Sequence, residues 1–301
     1  MGDAPAGGQE QAVDVAAIAD ALDAFRGGAP PSYGEVVATF GAAGAVVFFD
    51  ALAARYRFGQ TPEYDEAAAQ AVCSKGRALF DLGRFEEAIC VYDEIIDSYG
   101  ADVVGLDSVA VATARFQKGR TLNELHRFDE AIAAQDELLA RIGAAASIAV
   151  RVYVGWALLS KAFALHELGR TDEALSAYDE IWERLDARTE PDLRELIAHG
   201  LFEKGKLLRS LGREAEALRT FERVTERFGE SPEPAIRIYA VRALVQKIDR
   251  QQGRLPPRGT IAGAREIVRR YRDDPDPEIR ALVRGLNPVA RVGKWARSRR
   301  S

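Results

Sequence analysis

Apolar and small side chains recur every three or four positions between residues 69 and 82, and this spacing predicts an amphipathic helix. A second stripe of the same kind follows at once, on residues 85, 88, 89, 92, 95, 96 and 99. Glu86 and Glu87 stand in the first turn of the second segment, where they complement the positive end of a helix dipole. The two segments therefore predict an antiparallel hairpin of helices, and no run of the chain alternates as a strand does.

The hairpin pattern returns every 43 residues. Alanine marks the period most clearly, at Ala45, Ala88, Ala131, Ala174 and Ala217. Four clear copies cover about residues 65–230, and degenerate copies flank them on both sides. One hairpin cannot bury its apolar face alone, so neighbouring hairpins must stack on one another. The predicted fold is all-α, a solenoid of stacked helical hairpins.

Recurring small residues predict the turns and the packing inside each hairpin. Glycine ends the first helix at Gly83, Gly169 and Gly212, because it readily takes the left-handed conformation of a helix end. His126 stands at this place in the second copy. Small residues also predict a close approach of the two helices, at 76 and 88, 119 and 131, 162 and 174, and 205 and 217.

Gly76, Ala88 and Tyr92 are spaced by twelve and four positions, and Gly205, Ala217 and Phe221 repeat this arrangement. The pattern resembles the tetratricopeptide repeat family over about residues 65–272. The period of 43 exceeds the usual one of about 34, and it is similar to long-period repeats that act as interaction modules in bacterial proteins. The resemblance implies a right-handed solenoid that binds other proteins without catalysing a reaction.

The resemblance also implies that partners lie in a concave groove along the first helices. By register, the groove positions are Gln70, Cys73, Arg77 and Phe80; Thr113, Phe116, Arg120 and Asn123; Trp156, Leu159, Phe163 and His166; His199, Phe202, Lys206 and Arg209. Their cations and aromatic rings favour an acidic or carboxyl-terminal peptide with an apolar anchor. The alternative interpretation is that the aromatic residues pack in the core and the arginines form a solvated face.

Five of the seven lysines are also spaced by 43 residues. Each lies at the edge of an apolar stripe, where an unpaired ammonium would be costly to bury. Folding each hairpin about its turn predicts ion pairs within the hairpin: Lys75 with Asp93, Lys118 with Asp136, Lys161 with Asp179 and Lys204 with Glu222. A cationic row for an anionic ligand is the alternative.

No motif predicts catalysis, a metal or a cofactor. Residues 200–207 nearly fit a phosphate-binding loop, but Leu207 replaces the required hydroxyl residue and the segment lies within a periodic helix. His166 and Glu167 begin a zinc-protease motif, but Arg170 stands where it needs a second histidine. We therefore expect an interaction protein and not an enzyme.

Composition agrees with a folded chain in the cytoplasm. The residues are 47% apolar and 29% charged, which excludes wholesale disorder. The longest uncharged run, residues 36–49, has 14 positions and predicts a buried helix, since a bilayer span needs roughly 18. Two cysteines cannot form a disulfide framework, and the acidic start does not resemble a signal peptide.

The two ends differ from the repeats. Residues 1–31 are predicted to be a tail with a short amphipathic helix on Val15, Ile18, Leu22 and Phe25. The solenoid is assigned to residues 32–272. Residues 273–301 are assigned to a capping helix, from about Glu278 to Leu286, followed by a basic tail.

Residues 254–301 carry 13 Lys and Arg but 5 Asp and Glu, in a chain of net charge −5. Binding of an anionic ligand or RNA by this end is thus the alternative function, although the acidic chain as a whole does not favour nucleic acid. Unfinished ends of a helical stack also favour self-association.

Overall fold

Every regular element in the described part of the chain is an α-helix, as predicted. The computed structural model describes residues 13–24, 31–56, 62–99, 108–142, 146–185, 190–247 and 258–286. The helices are α1 (Val15–Ala24), α2 (Tyr33–Tyr56), α3 (Pro62–Asp81), α4 (Phe85–Tyr99), α5 (Val109–Glu124), α6 (Phe128–Arg141), α7 (Ile148–Glu167), α8 (Thr171–Arg184), α9 (Pro191–Ser210), α10 (Glu214–Phe228), α11 (Pro234–Lys247), α12 (Arg258–Tyr271) and α13 (277–286). The all-α fold of stacked helical hairpins is confirmed.

The helices fall into two compact units, Met1–Leu168 and Gly169–Ser301, here called unit 1 and unit 2. In unit 1, consecutive helices from α1 to α7 pack together, and the first helices α3, α5 and α7 also contact one another in order. In unit 2, α9 packs against α8, α10 and α11, and α11 against α10 and α12. Ile279, Val283 and Leu286 of α13 join the core around α11 and α12. Within each unit, neighbouring hairpins thus bury the apolar faces that each would expose alone.

The turns and close contacts of the hairpins agree with the prediction. Gly83, Gly169 and Gly212 each have φ of 72°, and His126 has φ of 57°. A Cβ atom on Gly76 would lie 2.5 Å from the Tyr92 ring, and one on Gly205 would lie 2.5 Å from the Phe221 ring. The aromatic residue of the second helix therefore rests directly on the backbone of the first.

The first and last helices lie where the sequence predicts them, with small differences in buried residues and in bounds. Ile18 and Leu22 of α1 are buried, whereas Val15 is exposed. The predicted capping helix is α13, which begins one residue before Glu278. Phe25, the start of the chain and the basic tail lie outside the described residues.

The predicted buried helix at 36–49 is part of the longer α2. Gly41 interrupts this helix with φ of 69° and ψ of 175°, so two helical segments meet there. Phe48, Phe49 and Leu52 of the second segment are buried in the core of unit 1, where α2 packs against α3.

Two helices are long and apolar enough to cross a membrane by length and composition alone. They are Tyr33–Arg55, with mean hydropathy 1.9, and Ile148–Glu167, with mean hydropathy 1.5. In this fold α2 packs against α1 and α3, and α7 packs against α5 and α6. Helices in the core of a protein meet the same criterion, so the absence of a membrane span, inferred from the longest uncharged run, stays a prediction.

The predicted lysine pairs within hairpins are wrong, because each lysine reaches the preceding hairpin. The observed pairs are Lys75–Asp50 at 2.5 Å, Lys118–Asp93 at 2.7 Å, Lys161–Asp136 at 2.5 Å and Lys204–Asp179 at 2.5 Å. Each acid therefore stands 25 residues before its lysine and not 18 after it. Glu222 stands 25 residues before Lys247, whose side chain lies outside the described part.

Helix geometry explains the correction. Gly76 faces Tyr92 in the second helix of its own hairpin. Lys75 precedes Gly76 by one residue, which is about 100° around the helix. Its side chain therefore points away from its own second helix and toward α2, the second helix of the degenerate first repeat.

A second row of cations, which the sequence patterns above do not predict, connects the hairpins of unit 2. Arg194 and Arg237 are 43 residues apart in α9 and α11. Arg194 donates to Ser231 Oγ at 3.2 Å, and Arg237 donates to both carboxylate oxygens of Asp274 at 2.9 Å. Both acceptors lie in the loop before the next first helix, 37 residues on. We call each such contact an arginine clamp; a search for arginine at the repeat period would have found it.

Candidate partner-binding surface

The predicted groove positions of unit 1 lie on three neighbouring first helices, and we call eight of the twelve the first-helix surface. They are Arg77 and Phe80 on α3; Phe116, Arg120 and Asn123 on α5; and Trp156, Phe163 and His166 on α7. Arg77, Phe163 and His166 are exposed, and Asn123 is buried. The other four are half-buried. Because α5 contacts both α3 and α7, these side chains belong to one continuous face of unit 1.

Two arginines on this surface stack on aromatic rings. The Arg77 guanidinium carbon lies 4.4 Å from the centre of the Tyr33 ring, and that of Arg120 lies 4.0 Å from the centre of the Phe80 ring. The Tyr33 hydroxyl donates to Asp81 Oδ2 at 2.5 Å, and this contact occupies the neighbouring carboxylate. No described acceptor receives a hydrogen bond from either guanidinium. Stacking holds the two cations in place while leaving their N–H edges without protein acceptors.

Arginines near the turns, unlike Arg77 and Arg120, donate hydrogen bonds to acceptors within the protein. Arg84 donates to both oxygens of Glu87, and Arg127 donates to Glu130 and Glu86. These side chains are neutralised within the protein. Arg77 and Arg120 therefore have a different role from the arginines that stabilise the turns.

Tyr92 lies on the second helix α4 and packs against α3. Its ring lies against Gly76, its side chain is buried, and no described group pairs with its hydroxyl. Burial raises the pKa of this hydroxyl far above its usual value, although the nearby Arg120 and Arg77 oppose the shift. The hydroxyl thus remains a protonated donor at any physiological pH.

Arg120 has a second unusual feature. Its Nε atom is buried without a hydrogen-bond partner. Burial lowers the pKa of Arg120, and the positive charge of Arg77 adds to that effect. Unit 1 therefore contains two buried donors without described acceptors, the Tyr92 hydroxyl and the Arg120 Nε–H.

Aromatic residues continue the surface toward α7. Phe116 lies 6.0 Å from Tyr153 and 6.4 Å from Trp156, measured between ring centres. Phe163 contacts Phe128 edge to face at 6.2 Å, yet 47% of its surface remains exposed. The surface therefore combines rings held by packing with one ring that presents half of its area to solvent.

Several predicted groove residues are used inside the fold. Asn123 donates to the Ser160 hydroxyl at 2.9 Å and so connects α5 to α7. Cys73 is buried and its thiol donates to the Ala110 carbonyl. Gln70, Thr113 and Leu159 are half-buried. For Asn123 and Cys73, the structure favours the packing interpretation.

In unit 2, the two predicted groove cations have acidic partners. Lys206 lies 2.7 Å from Glu203, and Arg209 lies 2.9 Å from Glu214. Arg209 also donates to the side-chain oxygen of Gln246 at 3.0 Å. Among the described cations of the predicted groove, the two without carboxylate partners are thus in unit 1.

The first helices of unit 2 line a cavity of about 520 Å³ beside Glu195, Ile238, Tyr239, Arg242 and Glu278. His199 stacks on Tyr239 at 5.0 Å between ring centres. Arg242 lies 2.6 Å from Glu278. Burial raises the pKa of Glu195, and the nearby Asp192 adds to the shift. This face is acidic and therefore differs in charge from the first-helix surface of unit 1.

The described residues add no support for the phosphate-binding and metal-binding motifs that the sequence nearly matches. The near-match to a phosphate-binding loop, 200–207, lies inside α9, so its backbone amides are engaged in the helix. No group of three or more His, Cys, Asp or Glu side chains is placed to hold a metal ion within the described ranges. The basic tail of the alternative function lies outside them.

Comparison with known families identifies two of the repeats. Residues 69–101 and 200–231 each match a family model described as tetratricopeptide repeat. The first match includes Tyr92 and most of the α3–α4 hairpin, and the second covers α10 and the latter half of α9. No curated protein matches the chain.

Proposed function

We propose that this chain, a tetratricopeptide-repeat protein, binds a partner peptide or protein on the first-helix surface of unit 1 and catalyses no reaction. Repeats of this family serve as protein-interaction modules. The observation that carries the proposal is the half-exposed ring of Phe163, on the same face as the stacked guanidiniums of Arg77 and Arg120. Aromatic residues and arginine are the types that most often dominate binding energy at protein interfaces.

The charge of this surface favours an acidic or carboxyl-terminal peptide with an apolar anchor. Arg77 and Arg120 supply two cations without carboxylate partners, and Phe163 supplies an apolar contact. Electrostatic complementarity of this kind favours fast association and excludes basic partners. We propose that the protein meets this partner in the cytoplasm.

The proposal is tested by selecting displayed random twelve-residue peptides on the full-length protein. The affinities of the selected peptides are then measured by fluorescence anisotropy. We expect enrichment of acidic residues or of a free carboxyl terminus. We also expect Phe163→Ala and Arg120→Glu to weaken binding at least tenfold each.

Arg219→Glu is the matched control. Arg219 is an exposed arginine on α10, a second helix of unit 2, so its reversal makes the same charge change away from the proposed surface. Circular dichroism checks that every variant remains helical. Equal affinities of wild type, Phe163→Ala and Arg120→Glu for all selected peptides would refute binding at this surface.

A further inference from the structure

We infer that a cavity at the junction of α2, α3 and α4 in unit 1, here called the junction cavity, binds a small aliphatic carboxylate. Its volume is about 440 Å³, which lies in the usual range of small-molecule sites. Arg84, at the turn between α3 and α4, is among the residues that line it. None of these lining residues belongs to the first-helix surface, so the inference does not depend on the proposed function.

The first argument is a donor on Arg84. This side chain donates through Nε and Nη2 to the two carboxylate oxygens of Glu87. Arg127, the equivalent residue of the next hairpin, donates to Glu130 through the same two atoms, and it also donates through Nη1 to Glu86 at 3.2 Å. The Nη1 atom of Arg84 has no described acceptor. An anionic group at this point would complete the contacts that are seen around Arg127.

The sequence explains why Arg84 differs from the other turn arginines. In the next hairpin the additional acid stands 41 residues before its arginine. Asp172 has the same separation from Arg213, and its Oδ1 lies 3.9 Å from the Nη1 atom of that arginine. The residue 41 positions before Arg84 is Ala43, which carries no charge. The difference therefore results from one alanine in the degenerate first repeat.

The second argument is the apolar wall of the junction cavity. Aliphatic side chains from all three helices line it: Val46, Val47, Leu79 and Val91. Val47 is 37% exposed. Val46 has one carbon fewer than the buried Ile89, which stands at its place in the next repeat. The first junction therefore presents aliphatic surface that the hydrocarbon chain of a ligand would cover.

The third argument is the charge of the junction cavity. Its two cations, Lys75 and Arg84, are balanced by Asp50 and Glu87. At the next junction the four equivalent residues are joined by Glu86, so this arrangement accommodates one further negative charge. A monocarboxylate supplies one charge, whereas a phosphate group of charge near −2 exceeds it. The site therefore favours a carboxylate over a phosphate.

Hexanoate tests the site on the full-length protein. Hexanamide has the same chain without the charge, and acetate has the charge without the chain. Methyl NMR spectra follow the signals of Val47 and Val91, which are assigned through Val47→Ile and Val91→Ile. We expect hexanoate to shift both signals in a saturable manner and to bind at least about tenfold more tightly than hexanamide or acetate, because each of these lacks one of the two contacts.

Ala43→Glu restores the acid that the other hairpins have. Its carboxylate should take the Nη1 donor of Arg84 and weaken the binding of hexanoate at least tenfold. Ala215→Glu is the matched control, because Ala215 has the same repeat position in α10 and Pro256 stands 41 residues after it in place of an arginine. This control should leave the affinity unchanged, and circular dichroism checks that both variants are helical.

Arg84→Gln decides the matter if Ala43→Glu does not fold. It removes the donor and should weaken the binding of hexanoate about tenfold, the loss expected for one hydrogen bond between charged groups. Arg170→Gln makes the same change at an arginine that pairs with Glu173, outside the junction cavity, and should leave the affinity unchanged.

Four results would overturn the inference. Two concern the probes: the absence of saturable shifts with hexanoate, and hexanamide or acetate binding as tightly as hexanoate. The other two concern the variants: an unchanged affinity in a folded Ala43→Glu, and an unchanged affinity in Arg84→Gln.

Discussion

Arg115 occupies a position where the other clear repeats have Val72, Leu158 and Leu201. Its side chain is 7% exposed, and its Nε atom has no described partner. Burial lowers the pKa of Arg115, and the charge of Arg141 adds to this effect. A cation thus stands in the aliphatic layer of unit 1, where only the charge of Glu137 opposes the lowering of its pKa, and we expect its burial to reduce the stability of the fold.

Arg115→Leu should therefore raise the free energy of unfolding by about 2 kcal/mol, since replacing a poorly compensated buried charge by an aliphatic group is commonly stabilising. Urea denaturation followed by circular dichroism measures the change. Arg219→Leu is the control at an exposed arginine and should change stability by less than about 0.5 kcal/mol. A less stable Arg115→Leu would mean that the guanidinium has a favourable partner in solution.

The lysine pairs permit a direct test of their register. A double-mutant cycle of Lys118→Met and Asp93→Leu should give a coupling of about 0.5 kcal/mol, as is usual for half-exposed ion pairs. The cycle of Lys118→Met with Asp136→Leu should give none, because Asp136 pairs with Lys161. Coupling to Asp136 and not to Asp93 would restore pairing within the hairpin.

The sequence predicted which residues form ion pairs better than it predicted which of them pair with each other. The lysines and acids of the ion pairs were identified, but separations of 18 and 25 residues both place opposite charges on facing helices. The choice depends on which side of the helix faces the preceding hairpin, and the Gly76–Tyr92 contact decides it. That contact also buries the Tyr92 ring against the backbone of α3.

At the scale of helices, the ends and the packing of the hairpins follow from local chemistry. Turn glycines and buried alanines act within a few residues, so one sequence suffices to place them. The break at Gly41 was missed because an uncharged run conceals the change of backbone conformation. The arginine clamps were missed because each joins a helix to a loop 37 residues away.

The clamp between Arg237 and Asp274 makes the stability of unit 2 depend on pH. Both side chains are buried, at 10% and 7% exposure. Burial tends to raise the pKa of the Asp274 carboxyl, but hydrogen bonds from Arg237 and from the Asp276 amide outweigh it and hold the pKa below its usual value of 3.8. The carboxylate therefore stabilises the fold at neutral pH, and this contribution is lost as the pH falls below about 4.

Asp274→Asn should lower the free energy of unfolding by about 3 kcal/mol at pH 7, because it leaves the buried Arg237 without its charged partner. The difference from wild type should shrink toward pH 3, where the wild-type carboxyl begins to take up a proton. Urea denaturation at the two pH values measures both effects. Asp273→Asn changes an exposed neighbour and serves as the control; a difference independent of pH would show that the clamp is not ionic.

At the scale of the whole chain, each hairpin contacts mainly its neighbours, so a local change should remain local. Amide hydrogen exchange of Asp274→Asn, followed by mass spectrometry, should be faster in α11 and α13 than in wild type. The helices α3 to α6 of unit 1 should exchange as before. Faster exchange throughout the chain would instead indicate one cooperative unfolding unit.

The fold could be predicted from the 43-residue period, because residues of several types recur at this same period. The location that we propose for the partner-binding face depended on the family resemblance, and the chemistry that we propose for it depended on contacts between helices. Charge asymmetry also became clearer in three dimensions, since the described groove cations without carboxylate partners are in unit 1. The acidic cavity of unit 2 could not be anticipated from net charge, because its residues come from α9, α11 and the start of α13.

The contacts between successive hairpins also bear on how such a gene can change in length. Lysine pairs and arginine clamps each join one copy of the repeat to the next at a constant separation. Duplication or loss of a complete 43-residue unit places equivalent residues at each end of the new junction, so the lysine pair forms again there and, within unit 2, the arginine clamp does too. An insertion of any other length within a helix breaks them. Recombination by whole units is therefore the route of change that this architecture tolerates best.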